Sequence, residues 1–151
     1  MKLKTIISIS LFTILSFSVK SQDAFNFPKM IVTKFLDNGF DYSKIAVEHH
    51  MILTFYESEG AYCFMNLWGT TSSYSLGKIY DFKSKNYPET ETTYAATEVS
   101  FLWRFTNSYD EESGSAKVTI IYTTIDNVVT FNCEMVVLET KEVLQYEGYR
   151  E

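Results

Sequence analysis

Proline, histidine and cysteine each occur only twice in the 151 residues, and glycine six times. With Pro28 and Pro88 alone, the chain is no polyproline or collagen-like rod, and long stretches keep every backbone N–H for a ladder. The two histidines, His49 and His50, are neighbours, and Cys63 and Cys133 lie far apart. That set lacks the local ligand spacing of a zinc site and the Cys-x-x-Cys spacing of a redox motif. Cations are scarce as well: 13 Lys and Arg stand against 19 Asp and Glu, for a formal charge of −6. No basic cluster offsets the excess, so a phosphate backbone would be repelled and nucleic acid is excluded as a partner.

What is present begins with "MKLKTIISISLFTILSFSVKSQ". Lys2 and Lys4 precede an apolar run from Ile6 to Phe17, and a polar exit follows. That order is the layout of a secretory signal, with Val19 and Ser21 small enough for the positions three and one before a cut. The run is short of the roughly 20 residues a spanning helix needs. The expectation is a signal peptide over residues 1–21 and one domain over 22–151, exported to the periplasm or the medium, with no integral membrane segment in the mature chain. Lys2, Lys4 and Lys20 leave with the signal while all 19 acids stay, so the formal charge falls from −6 to −9.

Beyond Ile45 the pattern has period two. In "EVSFLWRFT", Val99, Phe101, Trp103 and Phe105 alternate with polar residues, Leu102 excepted. "AKVTIIYTT" places Ala116, Val118, Ile120 and Tyr122 on one face, and "FNCEMVVLE" places Phe131, Cys133, Met135 and Val137 on one face. Such alternation is that of half-buried strands. The separators "NSYDEESG", "TIDN" and "ETKE" are short enough for antiparallel neighbours. Further strands are expected over 47–57, 61–68 and 73–81, with a charged edge strand at "EVLQYEGY". Residues 81–98 read as an exposed crossing, with a strand near Thr92 to Thr97. "FPKMIVTKFLDNG" reads as a helix from Pro28 to Leu36, with proline in the first turn and Asn38-Gly39 as the stop. The expected fold is therefore mainly β: an antiparallel meander forming a strongly curved sheet or small barrel, with one short N-terminal helix. Nothing between the strands is long enough for the crossover helices of a parallel sheet.

"AVEHHMILTFYE" holds the only local set with catalytic character. If the strand begins before Met51, His49 shares the core face and His50 the opposite one, so the two cannot chelate together. Glu48 then shares a face with His50, and a carboxylate can orient an imidazole for proton transfer, with Tyr56 further along. No nucleophile accompanies them, so no catalytic residue, metal or cofactor is assigned, and an enzyme using Glu48 and His50 stays the lesser alternative.

Cys63, read on a face with Ala61, Met65 and Leu67, and Cys133 both point inward on this reading, which makes them a disulfide candidate in an oxidising compartment. The acidic turn Asp110, Glu111, Glu112 lacks the ligand pattern of an EF-hand and reads as a solvated hairpin tip. Tyr74, Tyr80, Tyr87, Tyr94 and Tyr109 read as contact residues, since tyrosine offers broad contact area at low entropy cost.

In length, export and meander order the chain resembles small lipocalin-like barrels, and that resemblance implies an apolar ligand inside. The early Gly-x-Trp of lipocalins has no counterpart, because Trp68 follows Asn66-Leu67, so no residue role carries over. Two functional expectations result. One is a non-enzymatic binding or inhibitor-like protein that meets a protein or small neutral ligand through an acidic, tyrosine-bearing surface. The other is a carrier whose inward Phe101, Trp103 and Phe105 line a void.

Overall fold

The computed structural model describes residues 29–69 and 73–151; the expected signal over 1–21 lies outside them. Among the described residues nine strands follow one another: β1 (Met30–Asp37), β2 (Phe40–Asp41), β3 (Met51–Ser58), β4 (Ala61–Trp68), β5 (Ser73–Tyr87), β6 (Ala96–Asn107), β7 (Ser113–Ile125), β8 (Val128–Val137) and β9 (Val143–Arg150). One helix, α1 (Ser43–Glu48), sits between β2 and β3. Every pairing is antiparallel. β2 is a two-residue ledge on β1, and the other eight strands close into a barrel through β1 and β9. Closure removes the sheet edges that would otherwise template aggregation. Among the described residues no helix is long and apolar enough to cross a membrane.

The hairpins form where the chain supplies residues that tolerate left-handed backbone. Glu59-Gly60 and Asp126-Asn127 have positive φ at both positions, the requirement of the two-residue turns whose twist matches the flanking strands. The β6–β7 and β8–β9 connections are built alike. Asn107 N–H donates to Glu112 O and Val137 N–H to Glu142 O, both at 2.9 Å, with Glu111 and Lys141 left-handed.

Several expectations about elements are corrected: of the crossing expected over 81–98, residues 81–87 continue β5 and β6 begins at Ala96, which leaves a loop over 88–95. Of the helix expected from Pro28 to Leu36, the described residues from Met30 on belong to strand β1, and the single described helix lies at 43–48 instead. A register shift between Val32 and Lys34 explains the misreading. Met30 and Val32 face inward before it and Phe35 after it, so the bulge breaks the period of two that marks a strand. The C-terminal segment, read as an edge strand, pairs with β8 on one side and β1 on the other.

The core fills the end of the barrel where Met30 and Arg150 lie. Phe64, fully buried, packs its ring against Phe55, Phe101 and Trp103 at centroid distances of 5.0–5.4 Å. Trp103 Nε1 donates to Phe64 O at 3.0 Å, so the indole enters the core with its polar atom satisfied. A second register shift, between Tyr80 and Lys83, lets Ile79 and Phe82 both pack against this core from β5.

β1 and β3 pair over two positions only, Met30 with Leu53 and Ile31 with Ile52, and then diverge. α1 covers the resulting split with its buried Ala46. Ser43 ties it down: its Oγ accepts from Phe35 N–H at 3.1 Å and donates to Asp41 Oδ1 at 2.5 Å.

Candidate functional site: an aromatic cup with acidic walls

At the end opposite the filled core the barrel holds a cavity of about 600 Å³. The strand ladder dictates its lining. Phe35 and Asp37 on β1 pair with Tyr146 and Leu144 on β9, and side chains two residues apart share a face. The inward row of β1 therefore ends in a carboxylate, and that of β9 ends in Glu142. On β4, the pairing of Phe55 with Phe64 and Leu53 with Asn66 turns Asn66 and Trp68 inward. On β6, Trp103 and Phe105 follow Phe101. The walls are thus aromatic, with the Phe35 and Tyr146 rings stacked at 4.9 Å and the Trp103 and Phe105 rings at 4.7 Å. Ile45 of α1 and Tyr109 of the β6–β7 loop complete the mouth.

The polar groups of the cup are acidic or neutral. Asp37, Asp110, Glu112, Glu139 and Glu142 line it, and among the described residues no lysine, arginine or histidine does. Two of these carboxylates are engaged in loop structure: Asp110 Oδ1 accepts from Glu112 N–H at 2.9 Å and Glu139 Oε2 from Ser115 N–H at 3.1 Å. Hydrogen bonds from the Ser115 backbone hold the Glu139 carboxyl below its usual range. Glu142 differs. Burial, then the charge of Asp37 and a hydrogen bond with it, raise its carboxyl above the usual value of 4.5. Asp37 Oδ1 and Asn66 Oδ1 are buried with no hydrogen-bond partner, while Asn66 Nδ2 donates to Tyr146 Oη at 3.2 Å. Burial, foremost, pushes the Tyr146 phenol well above its normal range, so it is a neutral hydroxyl in the floor of the cup.

The residues singled out in the sequence fall in different places. Tyr74 and Tyr109 line the cup. Tyr80 and Tyr87 lie on the outer wall, with Arg104 4.8 Å above the first ring and Lys85 4.5 Å above the second. Tyr94, 57% exposed, sits in the loop between β5 and β6. The five do not form one face. Trp103 and Phe105 line the void, whereas Phe101 belongs to the packed core.

His49 and His50 are not strand residues: His49 caps the C-terminus of α1, and His50 follows with φ 50°. Glu48 pairs with Lys44 one helical turn away at 3.7 Å. His50 is exposed and lies outside the cup lining. The Tyr56 phenol is pushed up to about 12, by burial first and Cys63 second, too high to act as a base near neutral pH.

The disulfide expectation is corrected: Cys63 and Cys133 are buried free thiols. Cys63 pairs with outward-facing Tyr56 on β3, so its side chain lies on the outer face, with Sγ 3.6 Å from Ala61 O. Cys133 pairs with Ile120 and Tyr146 and faces the core. β4 and β8 stand on opposite sides of the eight-strand ring, beyond the Cα separation of at most about 7 Å that a disulfide tolerates. Burial raises the Cys133 thiol far above its usual range, which makes it inert. Among the described residues no group of three or more His, Cys, Asp or Glu is placed to hold a metal ion.

The cup itself was missed as a unit. Its signal is Asp37 and Glu142 at the mouth ends of the inward rows of β1 and β9, visible only once those strands are known to pair. Comparison with protein-family models, curated proteins and solved structures finds no match to this chain, so the chemistry of the cup carries the functional reading.

Proposed function

We propose that the protein is a non-enzymatic binding barrel that holds a small ligand with an apolar body in the cup, working outside the cytoplasm as the N-terminal segment leads one to expect. The observation that carries this reading is the cavity of about 600 Å³ between Trp68, Trp103, Phe105 and Leu144. Its size falls within the range of roughly 300–1,000 Å³ typical of ligand sites, and its aromatic walls with a few convergent polar groups are their usual composition. Tyr74 and Tyr109 then contribute as part of the mouth, so two of the five tyrosines expected from the sequence to make contacts serve this site.

The test uses a neutral apolar dye, N-phenylnaphthylamine. Its fluorescence should rise on binding with one-to-one stoichiometry. Leu144→Trp, which puts a larger side chain into the cup, should weaken that binding by about tenfold, equivalent to about 1.4 kcal/mol, with cooperative thermal unfolding retained. Absence of dye uptake, or uptake indifferent to Leu144→Trp, would sink the reading.

A further inference from the structure

We propose that the cup is selective for organic ammonium ions, cations carrying an aromatic or apolar body, with the charged nitrogen held at Asp37 and Glu142. The inference rests on the cup being a ligand site and specifies which chemical class it takes. Three observations converge on it.

The first is the missing counter-charge. The salt bridges among the described residues join Lys29 to Glu151, Lys34 to Glu147 and Lys44 to Glu48, and none reaches the cup. Five carboxylates therefore face a cavity to which the described residues bring no basic side chain. Within such low-dielectric walls their field repels anions and concentrates cations.

The second is an orphaned acceptor. Asp110 and Glu139 serve their own loops, but Asp37 Oδ1 is buried without a donor. A buried acceptor left unpaired is costly, and a carboxylate is acceptor-only when ionised. An ammonium is donor-only, so it satisfies Asp37 Oδ1 and offsets one of the two like charges that the Asp37–Glu142 pair brings together. A neutral alcohol brings a donor without the charge, and a carboxylate ligand brings neither.

The third is the wall. Phe35, Trp68, Trp103 and Phe105 surround the same space, and aromatic faces attract cations as well as burying apolar area. Already on the outer wall this chain sets Arg104 over Tyr80 and Lys85 over Tyr87. A bare metal ion fits less well, because only two carboxylates stand together and no three-ligand group exists among the described residues. The aromatic walls would then have no occupant.

The experiment is isothermal titration calorimetry on the intact protein with three probes sharing one body: naphthylethylammonium, naphthylethanol and naphthylacetate. The ammonium should bind at least about tenfold more tightly than the alcohol, and naphthylacetate more weakly than both. Asp37→Asn and Glu142→Gln should each cost the ammonium several-fold more affinity than they cost the alcohol, so that most of the ammonium's advantage is lost. Added salt should erode that advantage in the unmodified protein, a readout that does not depend on either variant folding. If the alcohol binds as tightly as the ammonium, or if the neutral dye binds while none of the three probes does, the ammonium inference is overturned and the ligand cup survives. If calcium chloride alone binds at Asp37 and Glu142 and the ammonium shows no preference, the site is a metal site and the inference fails. If the dye too is refused, the cup reading falls and this inference falls with it.

Discussion

Glu142 sits at the mouth of the cup with Asp37 beside it, and this side chain makes the stability of the empty protein depend on pH in a definite direction. Its carboxyl is raised in the folded state by burial and by Asp37, so on raising the pH the unfolded chain loses its proton first. Where the native state binds more protons, stability falls as pH rises. The contribution is therefore fully present below the usual glutamate value of 4.5 and is lost as pH climbs through the raised value. The Tyr109 and Tyr146 phenols also face Glu142, whose charge helps to raise both, and both are neutral in that window. Glu142→Gln should melt higher than the unmodified protein at neutral pH, and the difference should vanish in acid. Asp41 and Glu139, lowered by their serine hydrogen bonds, act in the opposite direction but are common to both proteins and cancel. Melting curves across pH 3–8, a range around the carboxylate values, would check this; a lower midpoint for the variant at neutral pH would show that the Asp37–Glu142 repulsion is absent.

At the scale of elements, what could be read from the sequence depended on how polar the outer face of each strand is. β6, β7 and β8 alternate cleanly, so Val99, Phe101, Trp103, Val118, Ile120, Phe131 and Met135 were placed inward and are buried. In β4 the run "AYCFMNLW" is apolar on both faces. Period two then gives no phase, and Cys63 was assigned to the core when the inward row is Phe64, Asn66 and Trp68. Bulges hid the rest, since a one-residue slip exchanges the faces, as in β1 after Val32. The ledge and helix that follow β1 hinge on Ser43, whose hydroxyl satisfies Phe35 N–H where β1 has parted from β3. Ser43→Ala leaves that partly buried donor unpaired, a loss of about 1–3 kcal/mol. Urea unfolding would read the loss, and amide exchange should speed up in residues 35–48 before the rest of the barrel. A variant as stable as the parent would mean that α1 is held by Ala46 alone.

For the molecule as a whole, the decisive contact is the one the sequence hid most completely: the first described strand closing on the last. β1 and β9 pair from Met30 with Arg150 to Asp37 with Leu144, joining residues more than a hundred positions apart. That seam brings Asp37 beside Glu142 and so creates the cup. Gly148 lies in it, where a Cβ would collide with the carbonyl of Ile31. Gly77 is the same device elsewhere, its missing Cβ leaving room for the backbone of Arg104 across the β5–β6 ladder. Each glycine to alanine change must push two strands apart, at a cost of about 1–3 kcal/mol by analogy with overpacked cores. The two should differ in where protection is lost. Gly77→Ala should raise amide exchange in β5 and β6, which remain flanked by β4 and β7. Gly148→Ala should raise it in β1 and β9, and because that seam builds the mouth, dye binding should weaken with it, whereas Gly77→Ala should leave dye binding nearer the parent value. If Gly148→Ala proves neutral in both stability and exchange, β1 does not close on β9 in solution, and the sheet is an open one with Asp37 and Glu142 on separate edges.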